Sequence, residues 1–260
     1  MKIKLYQIDA FTNKVFSGNP AAVCPMESWP ADALLQHIAA ENNLAETAYF
    51  VKSKEGFHIR WFTPKAEVNL CGHATLATAY VIFNFFNYSD SVISFQSRSG
   101  ILTVTKDKEW YALNFPVDKI DKIALTPEIT ACFDVMPGEA YRGSSDIMLV
   151  FSSQRNIENI TPDFFQIAKL KARGIIITAP GTDTDFVSRF FAPLVGIDED
   201  PVTGSAHTTL VPYWSKQLGK TELTARQVSS RGGYLKCKLL NDRVEISGQG
   251  AFYLLGEIEV

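Results

Sequence analysis

The sequence predicts an α+β protein made of two similar halves, rich in short strands and poor in helices. Three observations predict this. Short β-branched or aromatic segments recur along the chain, bounded by Gly, Pro or Asn/Asp turns. Helical patterns are few. And one composite pattern, Arg–aromatic–Phe–x–Pro followed by an acid-bearing loop, a Gly–polar–Ala step and an apolar run, occurs twice. Its first copy is "RWFTPKAEVNLCGHATLATAYVIF" from Arg60; its second is "RFFAPLVGIDEDPVTGSAHTTLVPYW" from Arg189. Arg60 and Arg189 are 129 residues apart and Gly72 and Gly204 are 132 apart, about half of the 260-residue chain. An internal duplication is the expectation.

Taken in order, "MKIKLYQIDAFTNKVF" alternates apolar and polar residues and reads as a strand, with no signal-peptide core behind it. Residues 31–41, after Trp29-Pro30, read as a helix. A strand is expected to begin at Glu46 in "NNLAETAYFV", followed by "HIRWF". Residues 68–89 carry no Asp, Glu, Lys or Arg. The compact apolar part, "ATLATAYVIFNFF", is 13 residues, short of the roughly 20 that span a bilayer. A buried core helix over 74–86 is expected. The strands "SVISFQS", "ILTVTK" and "EWYALNF" follow, and the domain joint is expected in "NFPVDKIDK", residues 114–122. In the second half a helix is expected over 162–171, with Pro162 in its first turn and Thr161 as cap. "GIIITA" and "DFVSRFFA" read as strands and 203–217 as a helix. "LTARQVSS", "YLKCKLL" and "RVEISG" close the chain pattern, with Asn241-Asp242 placed for a tight hairpin turn.

Bulk properties narrow the function classes. The composition, 46% hydrophobic and 20% charged, is that of a globular protein. A net charge of −3 and pI near 5.8 leave no electrostatic footprint for nucleic acid. Cys24, Cys71, Cys132 and Cys237 show no CxxC spacing, so neither a zinc ribbon nor a dithiol motif is signalled. So few cysteines suggest a reducing compartment, and a cytoplasmic protein with no metal, nucleic-acid or membrane partner is the expectation.

The repeated turn suggests chemistry. A helix start leaves backbone N–H groups unpaired and carries partial positive charge, so it attracts anions. Two such starts, Gly72-His73 and Gly204-Ser205, facing one cleft would clamp a small carboxylate. Asp198 and Glu199 read as solvated loop acids; Asp200, ahead of Pro201, is better placed to face a ligand. His73 reads either as a structural histidine or as a functional one. His207 falls two residues past Ser205, on a different helix face, so a Ser205–His207–Asp200 triad is poorly supported. Glu46 reads either as a surface strand-edge acid or as a desolvated carboxyl suited to proton transfer. Cys71 is either an inert buried thiol or one activated by the helix dipole. A two-thiol racemase would need a second cysteine in the other turn, where the expected position holds Asp200-Pro201.

"DAFTNKVFSGNPAAVC", "NNLAETAYF", "RWFTPKAEVNLCGHATLATAYV" and "DEDPVTGSAH", in that order, resemble the PhzF-like (phenazine biosynthesis-like) family over nearly the whole chain. The likeness is strongest to the subgroup carrying CGHAT and DPVTGSAH. The resemblance implies the diaminopimelate-epimerase-like fold: two pseudo-symmetric domains, each a mixed sheet rolled into a barrel around a long central helix. The implied domains are 1–115 with 249–260, and 116–248, the last strand, "AFYLLGEIEV", returning to the first domain. It also implies a cofactor-independent isomerase that moves a proton on a small carboxylate-bearing metabolite. Glu46, His73 and Asp200 match the family's catalytic residues. Asn19, Cys71, Gly72, His73, Gly204 and Ser205 match its substrate-binding positions. Homodimers occur in the family. The phenazine enzyme lacks a cysteine at the Cys71 position, whereas related two-thiol epimerases have one. A racemase using Cys71, or a binding protein that keeps the fold without turnover, stands as the alternative.

Overall fold

The computed structural model describes all 260 residues, Met1–Val260. In chain order the first elements are β1 (Lys2–Ala10), β2 (Asn19–Met26), α1 (Asp32–Asn42), β3 (Glu46–Ser53), β4 (Gly56–Phe62), β5 (Glu67–Val68), α2 (Gly72–Phe85), β6 (Val92–Ser97), β7 (Gly100–Asp107) and β8 (Trp110–Pro116). Then come β9 (Asp121–Ile123), α3 (Pro127–Thr130), β10 (Glu139–Arg142), β11 (Ile147–Val150), α4 (Gln154–Asn159), α5 (Phe164–Ile167), β12 (Ile175–Pro180) and β13 (Phe186–Ala192). The last are β14 (Ile197–Asp200), α6 (His207–Leu218), β15 (Glu222–Gln227), β16 (Gly233–Leu240), β17 (Arg243–Gly248) and β18 (Gly250–Glu259). The chain divides into two compact units, Met1–Asn114 with Ser247–Val260, and Phe115–Ile246.

Within the first unit the strand neighbours run β18, β1, β2, β3, β4, β6, β7. Within the second they run β9, β10, β11, β12, β13, β15, β16. The pairing senses follow the same succession in both: antiparallel, antiparallel, parallel, antiparallel, parallel, antiparallel. Parallel neighbours need a crossover. In the first unit α1 and α2 provide the two crossovers; in the second the α4–α5 pair and α6 do so. The repeat read from Arg60 and Arg189 is therefore a repeat of topology.

Each long helix is buried because its sequence allows it. Apart from His73 and Asn84, α2 is built of Gly, Thr and apolar residues, and His73 through Ala79 are all buried, as are Val81 and Ile82. Thr75 and Thr78 donate their hydroxyls to the carbonyls of Cys71 and Ala74, which removes the cost of burying them. In α6, Pro212 lies inside the helix and has no N–H for the carbonyl of Thr208. That carbonyl accepts from the backbone N–H of Asp118 instead, at 3.2 Å. Gly219, at φ 66°, ends α6 in the left-handed conformation. On the other side of the first unit's sheet, Leu35, Ile38 and Ala39 of α1 pack on Ile3, Leu5, Ala22, Cys24, Tyr49 and Phe62. The second unit's counterpart gathers Ile157, Ile160 and Ile167 on Leu149, Ile175, Ile177, Val187 and Phe191. No helix is long and apolar enough to cross a membrane.

Several boundaries differ from the sequence expectation. The helix expected over 162–171 shrinks to the four residues of α5, Phe164–Ile167, and a short helix that was not expected, α4, precedes it. Ser153 caps α4 and Asp163 caps α5, each accepting an amide from the first turn. Thr161 caps nothing: its N–H goes to Asp134 Oδ1, and Pro162 bridges to Phe133. Phe133–Pro162 pairing holds the chain extended just where a continuous helix would pass. The helix expected over 203–217 begins at His207, because Gly204–Ala206 form a tight turn with His207 N–H on the Gly204 carbonyl. The α2 helix starts two residues before the expected 74, at Gly72, and α1 runs over Asp32–Asn42.

Candidate functional site

Three chain segments of the first unit bring polar side chains together. Asn19 opens β2, Glu46 opens β3, and Cys71 caps α2. Register does the first part of this. Asn19 lies opposite Ala10, and the parallel β2–β3 ladder sets Ala21 beside Glu46, so Asn19 and Glu46 sit at neighbouring strand ends. Gly18 makes the entry to β2 possible. Its φ is +65°, and a Cβ there would lie 2.2 Å from the Ala10 carbonyl oxygen.

His73 is the hub. Its Nε2 lies 3.1 Å from Glu46 Oε2, its Nδ1 lies 3.2 Å from Asn19 Nδ2, and Cys71 Sγ lies 3.5 Å from Nδ1. The Glu46–His73 approach is an ion-pair contact. Glu46 Oε2 is buried with no aligned hydrogen-bond donor. The His73 and Glu46 side chains retain 6% and 12% of their exposure, so the pair is largely shielded from water. Burial pushes the Cys71 thiol up to about 11, with the Glu46 charge adding to the rise and His73 opposing it. Burial thus opposes the charge that a helix start would favour on this thiol. His73 is held well above the ordinary imidazole value. Burial works against its charge, but Cys71 and Glu46 flank it. With the thiol neutral, Glu46 is the counter-charge. Such a pair can hold one proton and pass it along a 3.1 Å path.

In the second unit the matching turn is built differently. Asp200, buried, accepts the Thr203 hydroxyl on Oδ2 at 2.5 Å. Gln227, fully buried at the end of β15, clamps the turn. Its Nε2 donates to the Asp200 carbonyl at 2.7 Å, and its Oε1 accepts the Thr203 N–H at 2.8 Å. Ser205 Oγ accepts from Arg173 Nη2 at 3.0 Å, and Arg173 also donates to both carboxylate oxygens of buried Asp146. His207 lies in the core. Its Nδ1 donates to the Thr203 carbonyl at 2.9 Å, and its Nε2 has no partner. No Ser205–His207–Asp200 relay exists.

The amides of Gly72 and His73 precede the α2 ladder, whose first bond is Thr75 N–H to the Cys71 carbonyl. Gly204 and Ser205 precede α6 in the same sense. At the offset of 132 residues Cys71 matches Thr203, not Asp200-Pro201 as expected, and the second turn holds a hydroxyl where a thiol pair would need sulfur. The offset also pairs Thr75 with His207, and both side chains bond back to the carbonyl four residues earlier.

Glu199 corrects another expectation. It is half-buried rather than a solvated loop acid, with Oε1 and Oε2 receiving Arg189 Nε and Nη2 at 2.7 and 3.0 Å. Arg60 and Glu67 form the same two-point pair in the first copy. Asp198 is exposed. Sequence reasoning missed Gln227, Arg173 and Asp146, which lie in strand or loop text with no chemical pattern. Thr203 was findable from the repeat offset.

The family profile described as "Phenazine biosynthesis-like protein" matches residues 8–256. An "uncharacterized isomerase" of Pseudomonas aeruginosa is 44% identical over 260 residues, covering 100% of both chains. A solved structure described as a phenazine biosynthesis protein of the PhzF family, from Enterococcus faecalis, superposes with a TM-score of 0.98 at 46% identity, covering 100% of both chains. The fold reaches further. A hydroxyproline epimerase from Agrobacterium vitis, solved with bound trans-4-hydroxy-L-proline, shares it at TM-score 0.64 and 8% identity, covering 99% of this chain and 92% of that one. With one family profile spanning nearly all residues and a full-length relative at 44% identity, this chain belongs to the phenazine biosynthesis-like (PhzF) family.

Proposed function

We propose that this protein is a cofactor-independent isomerase that moves a proton on a small carboxylate-bearing metabolite. Glu46 takes the proton from carbon and returns it elsewhere. His73 holds the transferred charge in balance, and Asp200 assists transfer or orients the substrate. The amides of Gly72, His73, Gly204 and Ser205 bind the carboxylate and stabilise negative charge developing beside it, and Asn19 fixes the imidazole.

The observation that carries this reading is Glu46 Oε2: buried, without an aligned donor, and 3.1 Å from His73 Nε2. A shielded carboxylate oxygen with no aligned donor and an imidazole as its one close polar neighbour has a free lone pair to offer an acidic C–H. The names of the relatives, isomerases among them, agree in class.

The alternative is a racemase in which Cys71 takes the proton, favoured only by the 3.5 Å contact between Sγ and His73 Nδ1. A thiol pushed up to about 11 and a threonine at the matching position both weigh against it. The test is a panel of small acids with an acidic C–H, followed by NMR in deuterium oxide. Exchange that survives Cys71→Ala supports the proposal. Exchange abolished by Cys71→Ala but untouched by Glu46→Gln supports the racemase, and ligand stabilisation with no exchange on any acid points to a binding protein.

A further inference from the structure

Glu46, Cys71 and His73 each offer a different kind of metal-ligating atom, and these atoms all lie within 4.8 Å of one another. We propose that this cluster is a binding site for one thiophilic divalent cation of the zinc class. Metal binding stands on geometry alone. Its consequence, the blocking of proton transfer, rests on the function proposed above.

Distances are the first argument. A tetrahedral zinc ion with bonds of about 2.0 Å to N and O and about 2.3 Å to S sets its ligand atoms roughly 3.3–3.6 Å apart. Here Sγ lies 4.0 Å from His73 Nε2, and Nε2 lies 3.1 Å from Glu46 Oε2. With every pair inside 4.8 Å, side-chain rotations that move the ligand atoms by up to about 1 Å close the set. Charge is the second. A thiolate and a carboxylate together neutralise a divalent cation, so an ion with neutral His73 as third ligand brings no net charge into a buried site. The thiol proton and the proton held between His73 and Glu46 leave to solvent as the ion enters. Availability is the third: Glu46 Oε2 meets no aligned hydrogen-bond donor, so only its ion-pair contact with His73 has to give way.

Ligand softness selects the ion. One thiolate and one imidazole suit zinc, cobalt or cadmium and disfavour magnesium or calcium, which want oxygen donors. The Asn19 amide lies 3.2 Å from His73 Nδ1; turned so that its Oδ1 accepts the Nδ1–H, it would orient the ring from behind, as outer-shell partners of metal-bound histidines do. Three protein ligands leave a fourth position open to a water or a carboxylate. The spacing of the cysteines could not signal this set, because its members come from the β3 start and the α2 cap and contain a single thiol.

The test is titration of the substrate-free protein with cobalt(II), under argon and with a thiol-free reductant, read by near-ultraviolet thiolate-to-cobalt charge transfer. One equivalent is expected to bind. Cys71→Ser should remove the band, Glu46→Gln and His73→Asn should each weaken binding at least tenfold, and Cys24→Ala should change nothing. Zinc should displace the cobalt. Circular dichroism of each variant separates lost ligation from lost fold, and Glu46→Gln serves if Cys71→Ser does not fold. A band that survives Cys71→Ser, binding indifferent to Glu46→Gln, or no band with excess cobalt overturns the proposal. None of those results touches the proposed isomerase, whose proton transfer needs no ion.

Discussion

The guanidinium of Arg189 grips both carboxylate oxygens of Glu199, and its Nη1 reaches the carbonyls of Ile157 and Ile160 at 3.2 and 3.1 Å. It also lies 4.9 Å from the Phe191 ring centre, as Arg60 lies 5.1 Å from that of Phe62. These arginines tie each strand, β4 or β13, to the loop that leads into the long helix of its unit. The exposures left to the two side chains, 13% and 22%, put the Arg189–Glu199 pair between a surface bridge and a core one. Removing one partner therefore leaves a partly shielded charge unpaired. Glu199→Gln should cost about 2 kcal/mol, below the 3–5 of a fully buried pair. Asp198→Asn, one residue away and exposed, should stay within about 0.5 kcal/mol. Urea denaturation of the two variants checks this; equal midpoints would show that the pair contributes nothing to the fold.

His207 should make stability depend on pH. Burial lowers its pKa to about 4, against 6.5 in the ordinary state, so the folded chain keeps the ring neutral. Above 6.5 both states are neutral and stability is intact. As pH falls below that value the unfolded chain takes a proton that the folded chain refuses, and stability declines until the folded value near 4 is passed. Between pH 7 and pH 5 this one residue should account for about 2 kcal/mol of loss. The measurement is the difference in unfolding free energy between those two pH values for the wild type and for His207→Gln, whose amide can still reach the Thr203 carbonyl. The variant's loss should be smaller by that amount; equal losses would contradict a neutral buried ring.

Cys71 should be slow to alkylate despite capping a helix. With its pKa near 11, about a thousandth of the thiol is ionised at pH 8. Cys132, also near 11, and Cys24, near 12, are similarly suppressed. Brief iodoacetamide treatment of the native protein followed by peptide mass spectrometry should find Cys71 no more labelled than Cys132. Preferential labelling of Cys71 would favour the activated-thiol reading.

The repeat was the most legible feature of the sequence, because a duplicated strand–loop–helix keeps its Arg, its Gly–polar–Ala step and its apolar run. Glu46 was legible as an odd charge among apolar neighbours at a strand start. What failed was local and has local causes. The helix expected over 162–171 ignored the Phe133–Pro162 bridge, a contact across 29 residues that no helical pattern encodes. The α6 start was set too early because Gly204-Ser205-Ala206 look helical but form a tight turn. Glu199 reads as solvated in the sequence because its partner Arg189 is ten residues away, beyond any helix or strand period. Gln227 and Arg173 were invisible because a buried amide and a loop arginine acquire meaning only once the chain has brought the turn to them.

The central claim is that Glu46 is the atom-moving group. It is tested by comparing the wild type with Glu46→Gln on whichever acid first shows solvent deuterium incorporation. Glutamine keeps the shape and removes the basic oxygen. The rate of incorporation should fall by at least 100-fold while the fold, by circular dichroism, and the affinity for the acid are retained. An exchange rate in Glu46→Gln equal to that of the wild type would contradict the account.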